Sequence, residues 1–534
     1  MDFTTTPHFR LQELTLEKGL DERVNDAFMP FAVWWENLIL AEIPFFGQGI
    51  PIVLIILVFG ALFFTVYFSF VNVKYFPTAI QVVRGKYDDL ERAKQPEKVN
   101  VLQVEGDVKD TIKDESHIGE VNHFQALATA VSGTVGLGNI ALVAVAISIG
   151  GPGVTFWMIL AGLIGMSTKF VECTLGVAYR DIDKDGTVFG GPMYYLSKGM
   201  KERGLGKLGK LLAAVFAILC VGASFGGGNA FQSNQAAAQI IEQFGLSGDA
   251  TGSIIGLIFA ICAGIVIIGG IKRIAKVTEK VVPFMAILYV GAALFIIFSK
   301  IELVDDVFKL ILTEAFTPKA TIAGGFVGVF IQGFRRAAFS NEAGAGSAAI
   351  AHSAVNTAFP ASEGLVGLLE PFIDTVLICT ITAVVIILFN MDGAFVYGNV
   401  VNGQAIMNDG TLLGGVNITS MAFESSINGS SYVLMGAVCL FAFSTILSWS
   451  YYGLQAWKYL FGRGRWTDLT YKIIFLLFTV LGAAITMDAV IKFSDAMILA
   501  LVFPNMIGLL FLYPKVKSEF DKYLILIRPN KSKV

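Results

Sequence analysis

The stretch Gly133-Thr-Val-Gly-Leu-Gly-Asn-Ile140 decides how this chain folds. It lies within a segment, 123–149, that is otherwise apolar and long enough to cross a bilayer, for which about 20 residues suffice. Glycine inside a helix costs about 1 kcal/mol relative to alanine. Gly133, Gly136 and Gly138 together therefore mark a break in a membrane helix. Backbone freed from helical hydrogen bonds cannot face lipid, where each unsatisfied group costs several kcal/mol. It must bind something or line a watery cavity.

The same residues, Gly136-Leu-Gly138-Asn-Ile-Ala141, match the dinucleotide fingerprint G-x-G-x-x-G/A. That motif needs a strand before it, a helix after it and an acidic residue about 20 positions on. Here the neighbourhood reads Thr155-Phe-Trp-Met-Ile-Leu-Ala161, with no acid until Glu172 and no P-loop lysine. A nucleotide-using membrane enzyme is thus the weaker reading, and no cofactor is expected. His8, His117, His123 and His352 are scattered along the sequence, and the five cysteines occupy separate apolar stretches. Neither pattern points to a transition-metal site or a disulfide. A passive channel is a third reading, and the asymmetric polar breaks argue against an open pore.

Of the 534 residues, 55% are hydrophobic and 15% charged, where a soluble domain carries about 25% charged residues. This composition is that of a multi-spanning membrane protein, whose main partner is the lipid bilayer. The formal net charge of −3 comes without a dense basic face, which excludes a nucleic-acid footprint. Nothing points to an obligate protein partner. The first 29 residues are mixed and acidic, unlike a secretory signal, so insertion is expected to depend on the first span.

Apolar runs predict about eleven spans, at 50–72, 123–149, 154–179, 209–241, 251–271, 280–300, 321–355, 361–389, 431–459, 468–490 and 494–514. Lys and Arg gather in alternate connections: 73–122, 180–207, 272–280, 458–465 and the tail 515–534. The opposite connections 150–153, 242–250 and 390–430 have none. Positive residues stay on the cytoplasmic side, which predicts a cell-membrane protein with its N-terminus outside and its C-terminus inside. The segment Pro30-Phe-Ala-Val-Trp34-Trp35 to Ile43-Pro44-Phe45-Phe46 is aromatic but too short to cross. It reads as lying along the outer interface.

A second break, Ser340-Asn-Glu-Ala-Gly344-Ala-Gly346-Ser347, interrupts the seventh predicted span. Setting aside the lead helix 50–72, ten spans remain, and the two breaks open the first and second groups of five. The expected organisation is an extracytoplasmic segment 1–49, the lead helix, a cytoplasmic linker 73–122, and repeats at 123–300 and 301–514. A cytoplasmic tail 515–534 follows. An odd number of spans between equivalent positions inverts the second half. Discontinuous helices at matching places in inverted halves point to a transporter's midplane site.

Unpaired N–H groups at the start of a half-helix suit an anion, and freed carbonyls suit a cation. A ligand carrying both charges, an amino acid, fits both ends. The amides near Leu137 and Gly138 are candidates for its carboxylate, with oxygens from Thr134 and Asn139 close by. Two further polar clusters lie in apolar surroundings: Gly226-Gly-Gly-Asn229-Ala-Phe-Gln232-Ser-Asn234-Gln235, and Ser444-Thr445-Ile-Leu-Ser448-Trp449-Ser450-Tyr451-Tyr452. Ser444 and Ser448 share a helix face. Such hard oxygens suit Na+, although Ser and Thr also bind neighbouring helices in membranes. Ionisable residues inside spans suggest function. Lys169 and Glu172 have the spacing to pair with each other. Arg335, Arg336 and Glu342 flank the second break, and Asp374 lies in the eighth span.

These residues carry a resemblance. GTVGLGNIALVAVAISIGGPGVTFWMILAGLIGMSTKFVECTLGVAYR, GGPMYYLSKG, FSNEAGAGSAAIAHSAV, FIDTVLICTIT and FSTILSWSYYG, in order from about 50 to 514, resemble the sodium:alanine/glycine symporter family. The resemblance implies an all-α, leucine-transporter-like inverted 5+5 repeat preceded by one extra helix. It also implies uptake of alanine or glycine coupled to Na+, or sometimes H+. The substrate carboxylate would then lie on the Leu137 and Gly138 amides beside Thr134 and Gly136, with Gln232, Ser340, Asn341 and Trp449 completing the pocket. Na+ would be held by carbonyls of Ser132 and Val135 with hydroxyls of Ser444 and Thr445, and a second cation would lie near Asn139. Leu137 stands where the family pattern GTGNI has Thr, and Leu454 where SYYGE has Glu.

Overall fold

The computed structural model describes residues 19–45, 48–93, 119–184, 186–317 and 325–528. Half of the linker 73–122, residues 94–118 with Lys94 and Lys98, and the end of the tail, including Lys533, lie outside the described residues. So do His8, His117 and Phe46.

The bundle is helical, and its layers follow apolar patterning. Among the described residues seven helices are long and apolar enough to cross a membrane, with an eighth if His123–Thr134 and Gly138–Gly150, bent by 48°, count as one. Sequence patterning led us to expect about eleven. The difference arises where apolar runs make short helices, Ile52–Tyr67 and Thr251–Ile267, and where the second break shortens its helix to Gly325–Asn341. The helices Met487–Ala500 and Val502–Ile527 run on from one another as one long stretch. Val154–Ala178 lies at the centre, 72% of its most apolar window buried. Gly270–Ser299 and Arg465–Ala484 expose most of their apolar residues and form the periphery. A helix that is apolar all round but largely exposed within the protein has its faces satisfied by lipid.

Several connections carry structure. Leu20–Ile39 is a helix whose Phe28 meets Phe493 with ring centroids 5.1 Å apart, while Trp34 on its other face is exposed. A hairpin of Glu42–Phe45 and Gln48–Pro51 joins it to the lead helix. The basic residues Lys272, Arg273 and Lys276 stand on the first turns of Gly270–Ser299 rather than in a loop. Ile301–Phe316 is a further amphipathic helix.

The Gly- and Asn-rich connection 390–430, read as loop, forms a three-stranded antiparallel sheet and the helix Val416–Ser426. Asn402 and Gly403, both at positive φ, make the tight turn between Phe395–Val401 and Gln404–Met407. Thr419 Oγ1 on that helix donates to the Ile140 carbonyl at 3.1 Å, and Gln235 Oε1 accepts from Val416 N–H at 3.1 Å. This element therefore closes directly over the first broken helix.

Candidate functional site

The first broken helix starts cleanly. Asn122 Oδ1 accepts from Gln125 N–H at 2.8 Å and Gln125 Oε1 from Asn122 N–H at 3.2 Å, a reciprocal cap. The helix ends at Thr134, Val135 leaves helical geometry, and Gly138–Leu142 resumes as a π-helical turn. Such turns are frequent at functional sites. The second break is tighter. Gly344 and Gly346 have φ of +96° and +84°, and Glu342 has φ of +54°, a left-handed conformation that a side chain adopts only under local constraint.

The two breaks face each other. A Cβ on Gly138 would lie 3.3 Å from the Phe339 ring and 4.0 Å from Ser340 Cα. Asn139 Nδ2 donates to Asp374 Oδ1 at 2.6 Å and to the Asp374 carbonyl at 3.1 Å. Ser340 Oγ donates to Asp374 Oδ2 at 2.8 Å, as does Thr375 Oγ1 at 2.7 Å. One carboxylate thus ties both broken helices. Among the described residues no Lys, Arg or His forms an ion pair with it.

On the opposite side of the first break, Leu137 N–H donates to Gln232 Oε1 at 3.0 Å, and Gln232 Nε2 donates to the Gly227 carbonyl at 2.9 Å. A Cβ on Gly136 would meet Thr445 Oγ1 at 2.6 Å and Gln232 Oε1 at 2.9 Å, so only glycine lets these side chains approach the backbone. Thr445 Oγ1 is buried without a hydrogen-bond partner among the described residues. A buried hydroxyl with free lone pairs is an unusual expense, and hard oxygen is the donor Na+ takes. Ser132 Oγ donates to the Ser444 carbonyl at 2.8 Å. Trp449 Nε1 donates to the Gly133 carbonyl at 3.1 Å, and its indole lies where a Cβ on Gly228 would be 2.1 Å away.

The expected residues are therefore brought together around Gly133–Asn139, each less than a tenth exposed, with three qualifications. Thr134 Oγ1 turns back to its own helix, on the Ala130 carbonyl at 3.3 Å. Ser444 Oγ does likewise on the Phe441 carbonyl at 3.1 Å. Asn341 faces away, accepting from Ala343 N–H at 2.9 Å and donating to Thr375 Oγ1 at 2.9 Å.

Two expectations about charge are overturned. Lys169 does not pair with Glu172; its Nζ reaches Glu370 Oε1 at 3.0 Å, while Glu172 accepts from Gly344 N–H at 2.9 Å and Asn505 Nδ2 at 2.8 Å. The histidines are not all scattered either, since His123 and His352 bond the two oxygens of Glu363. Arg335 bridges Glu36 at 2.8 Å and Asp495 at 2.9 Å, and Arg336 joins the same Asp495. Sequence reading also missed Phe339 and Tyr452, the latter with its Oη 2.8 Å from where a Cβ on Gly133 would be; their only signal was their place beside a break and in the polar cluster.

With this geometry in hand, known proteins can be compared. Residues 97–534 match the Sodium:alanine symporter family. A sodium/alanine symporter of Methanococcus maripaludis, AgcS, is 35% identical over 484 residues, covering 90% of this chain and 96% of that protein. This chain belongs to the sodium:alanine symporter family. A probable sodium/glutamine symporter of Bacillus subtilis, GlnT, is 34% identical, covering 76% of this chain and 78% of that protein. Among solved structures a manganese transporter of Eremococcus coleocola superposes with a TM-score of 0.50 at 14% identity, over 78% of this chain and 90% of that one. At that identity the likeness speaks for the fold alone. Family membership makes the chain a multi-pass secondary transporter that couples sodium to an amino acid, and not an enzyme.

Proposed function

We propose that this symporter takes up alanine or glycine by alternating access, with Na+ as its coupling ion and H+ as the ion to test beside it. The observation that carries the reading is the environment of Gly136. Its neighbour's N–H is held by a replaceable neutral acceptor, Gln232, and the Thr445 hydroxyl beside it lacks a partner. The substrate carboxylate would displace Gln232 from the Leu137 amide and bind there and on Gly138. Na+ would take Thr445 with the carbonyls of Ser132 and Val135, leaving Ser444 a supporting role. The second cation would lie by Asn139 against Asp374, the uncompensated carboxylate between the breaks.

The small size of the substrate follows from the walls. Trp449 packs on Gly228 and bonds the Gly133 carbonyl at one end of the break, and Phe339 lies against Gly138 at the other, which leaves a methyl little room to grow. Leu137 supplies its backbone amide, the one contact that survives replacement of a threonine. Counted as crossings, the short and broken helices would bring the spans to eleven; we read these as a lead helix and two inverted groups of five, and the basic connections support an outside N-terminus and a cytoplasmic C-terminus. Competition by a panel of small amino acids against labelled alanine, with and without Na+, tests this. Glycine should compete and glutamine should not; equal competition by glutamine removes the size argument.

A further inference from the structure

The buried ionisable groups that the substrate site leaves unused form a line. It begins at a cavity of ≈ 460 Å³ lined by Glu91, Asn122, His123 and Thr357. Glu91 accepts from Tyr523 Oη at 2.9 Å and lies 3.9 Å from His123 Nε2. His123 Nδ1 bonds one oxygen of Glu363, and His352 Nδ1 bonds the other at 2.5 Å. His352 Nε2 faces Glu370 Oε2 across 3.7 Å. Glu370 Oε1 holds Lys169, which stands one helical turn from Glu172.

The line ends on the second break. Glu172 Oε1 accepts from Gly344 N–H and from Asn505 Nδ2, and that same amide donates to the Gly344 carbonyl at 2.8 Å. Glu342, two residues earlier, takes the Ser347 hydroxyl. A carboxyl group therefore grips the turn that would have to move if the second broken helix opens.

A purely structural ion network satisfies its buried atoms. This one leaves Glu172 Oε2 without a hydrogen-bond partner among the described residues, and His352 Nε2 and Glu370 Oε2 meet only as a loose ion pair at 3.7 Å, too long for a hydrogen bond, at successive points on one route. Ionisable groups in a membrane interior mark ion pathways and proton relays, and histidine exchanges protons near neutral pH. The other charged or titratable groups in reach are accounted for. Glu172 faces Tyr195, and Glu342 faces Asp374, Cys220 and Tyr452. Cys173 faces His352. Arg180 lies near Glu363 and donates to the Ser353, Val355 and Thr357 carbonyls.

We propose that Glu172 and Glu342 form a proton-binding site at the second helix break, loaded from the cytoplasm through the His123–Glu363–His352–Glu370 line, whose occupancy controls release of that break. The side assignment and the moving break rest on the symporter reading above. Each step moves one proton between successive groups of the line, directly where they are hydrogen-bonded and through a bridging water where they are not. His123 takes a proton from cavity water and passes one to Glu363; His352 receives it and gives its Nε2 proton to Glu370. Lys169, one helical turn from Glu172 and bonded to Glu370, passes a proton to the free oxygen of Glu172 through a bridging water and regains one from Glu370. Neutral Glu172 then holds Gly344 and Asn505 without charge assistance, a weaker grip.

Two measurements test this. In right-side-out membrane vesicles, Na+-driven alanine uptake should change at least about threefold as internal pH is set between about 5.5 and 8.5, and stay flat with external pH. His352→Gln should keep Na+-driven uptake and lose the internal dependence. Indifference of the wild type to internal pH, or an unchanged profile in His352→Gln, overturns the proposal. Loss of Na+ dependence alone would count against the symport reading instead. Infrared spectroscopy of the purified protein needs no transport. A protonated-carboxyl band should grow as pH falls, be lost in Glu172→Gln, and appear more slowly in His352→Gln. A band that is absent, or unchanged in both variants, overturns it equally.

Discussion

Asn139 and Asp374, 235 residues apart, are joined by a 2.6 Å hydrogen bond that ties the first broken helix to the helix beside the second. Ser340 reaches the other oxygen of the same carboxylate. The carboxylate has neutral donors and no cation partner among the described residues, and the second cation is proposed beside it on that ground. Asp374→Asn is nearly isosteric and removes that charge. It should abolish concentrative uptake by at least about tenfold while costing only about 1–3 kcal/mol of stability, the range for disturbing one buried polar group. Uptake in reconstituted vesicles, with thermal unfolding alongside, checks both.

Gln232 supplies the acceptor that the substrate is expected to displace from Leu137 N–H. Gln232→Glu places an anion at that amide and should compete with the substrate carboxylate, raising KM about tenfold or more. Gln232→Ala leaves the amide free and should alter KM less. Uptake kinetics for the two variants separate competition from simple loss of packing.

Thr445 carries the unpartnered hydroxyl, whereas Ser444 Oγ is occupied on its own helix. Thr445→Ala should therefore account for most of the loss of Na+ affinity in the Ser444→Ala/Thr445→Ala double variant, with Ser444→Ala alone near wild type. Sodium titrations of uptake decide this; equal effects of the two single variants would assign Ser444 a direct role.

Lys169 and Glu370 are both fully buried and 3.0 Å apart. Lys169→Met leaves Glu370 with only His352, 3.7 Å away, to offset a buried charge, and should destabilise the protein by about 3 kcal/mol, the low end for breaking a buried pair. The double variant Lys169→Met/Glu370→Gln should recover most of that, as measured by thermal unfolding in detergent.

The breaks were legible because glycine and polar residues interrupt apolar runs, and a membrane punishes such interruptions unless they are used. Gln232, Trp449 and Thr445 were legible as polar or bulky members of conspicuous clusters. The long-range partners were not. Lys169 had Glu172 at helical spacing, and only packing brings Glu370 201 residues away to the same amine. His123 and His352 meet on Glu363 because three separate helices converge, which no local pattern encodes. The sheet at 395–414 was overlooked although Asn402-Gly403 is a strong hairpin signal, because the surrounding Gly, Asn and Ser read as loop.

The central claim is that the two broken helices together hold Na+ and a small amino acid and move them jointly. Uptake of labelled alanine into proteoliposomes under an inward Na+ gradient tests it most directly. The account predicts accumulation above the external concentration that collapses when the Na+ gradient is dissipated. Uptake that never exceeds the external concentration, or that is indifferent to Na+ and H+ gradients alike, would contradict it.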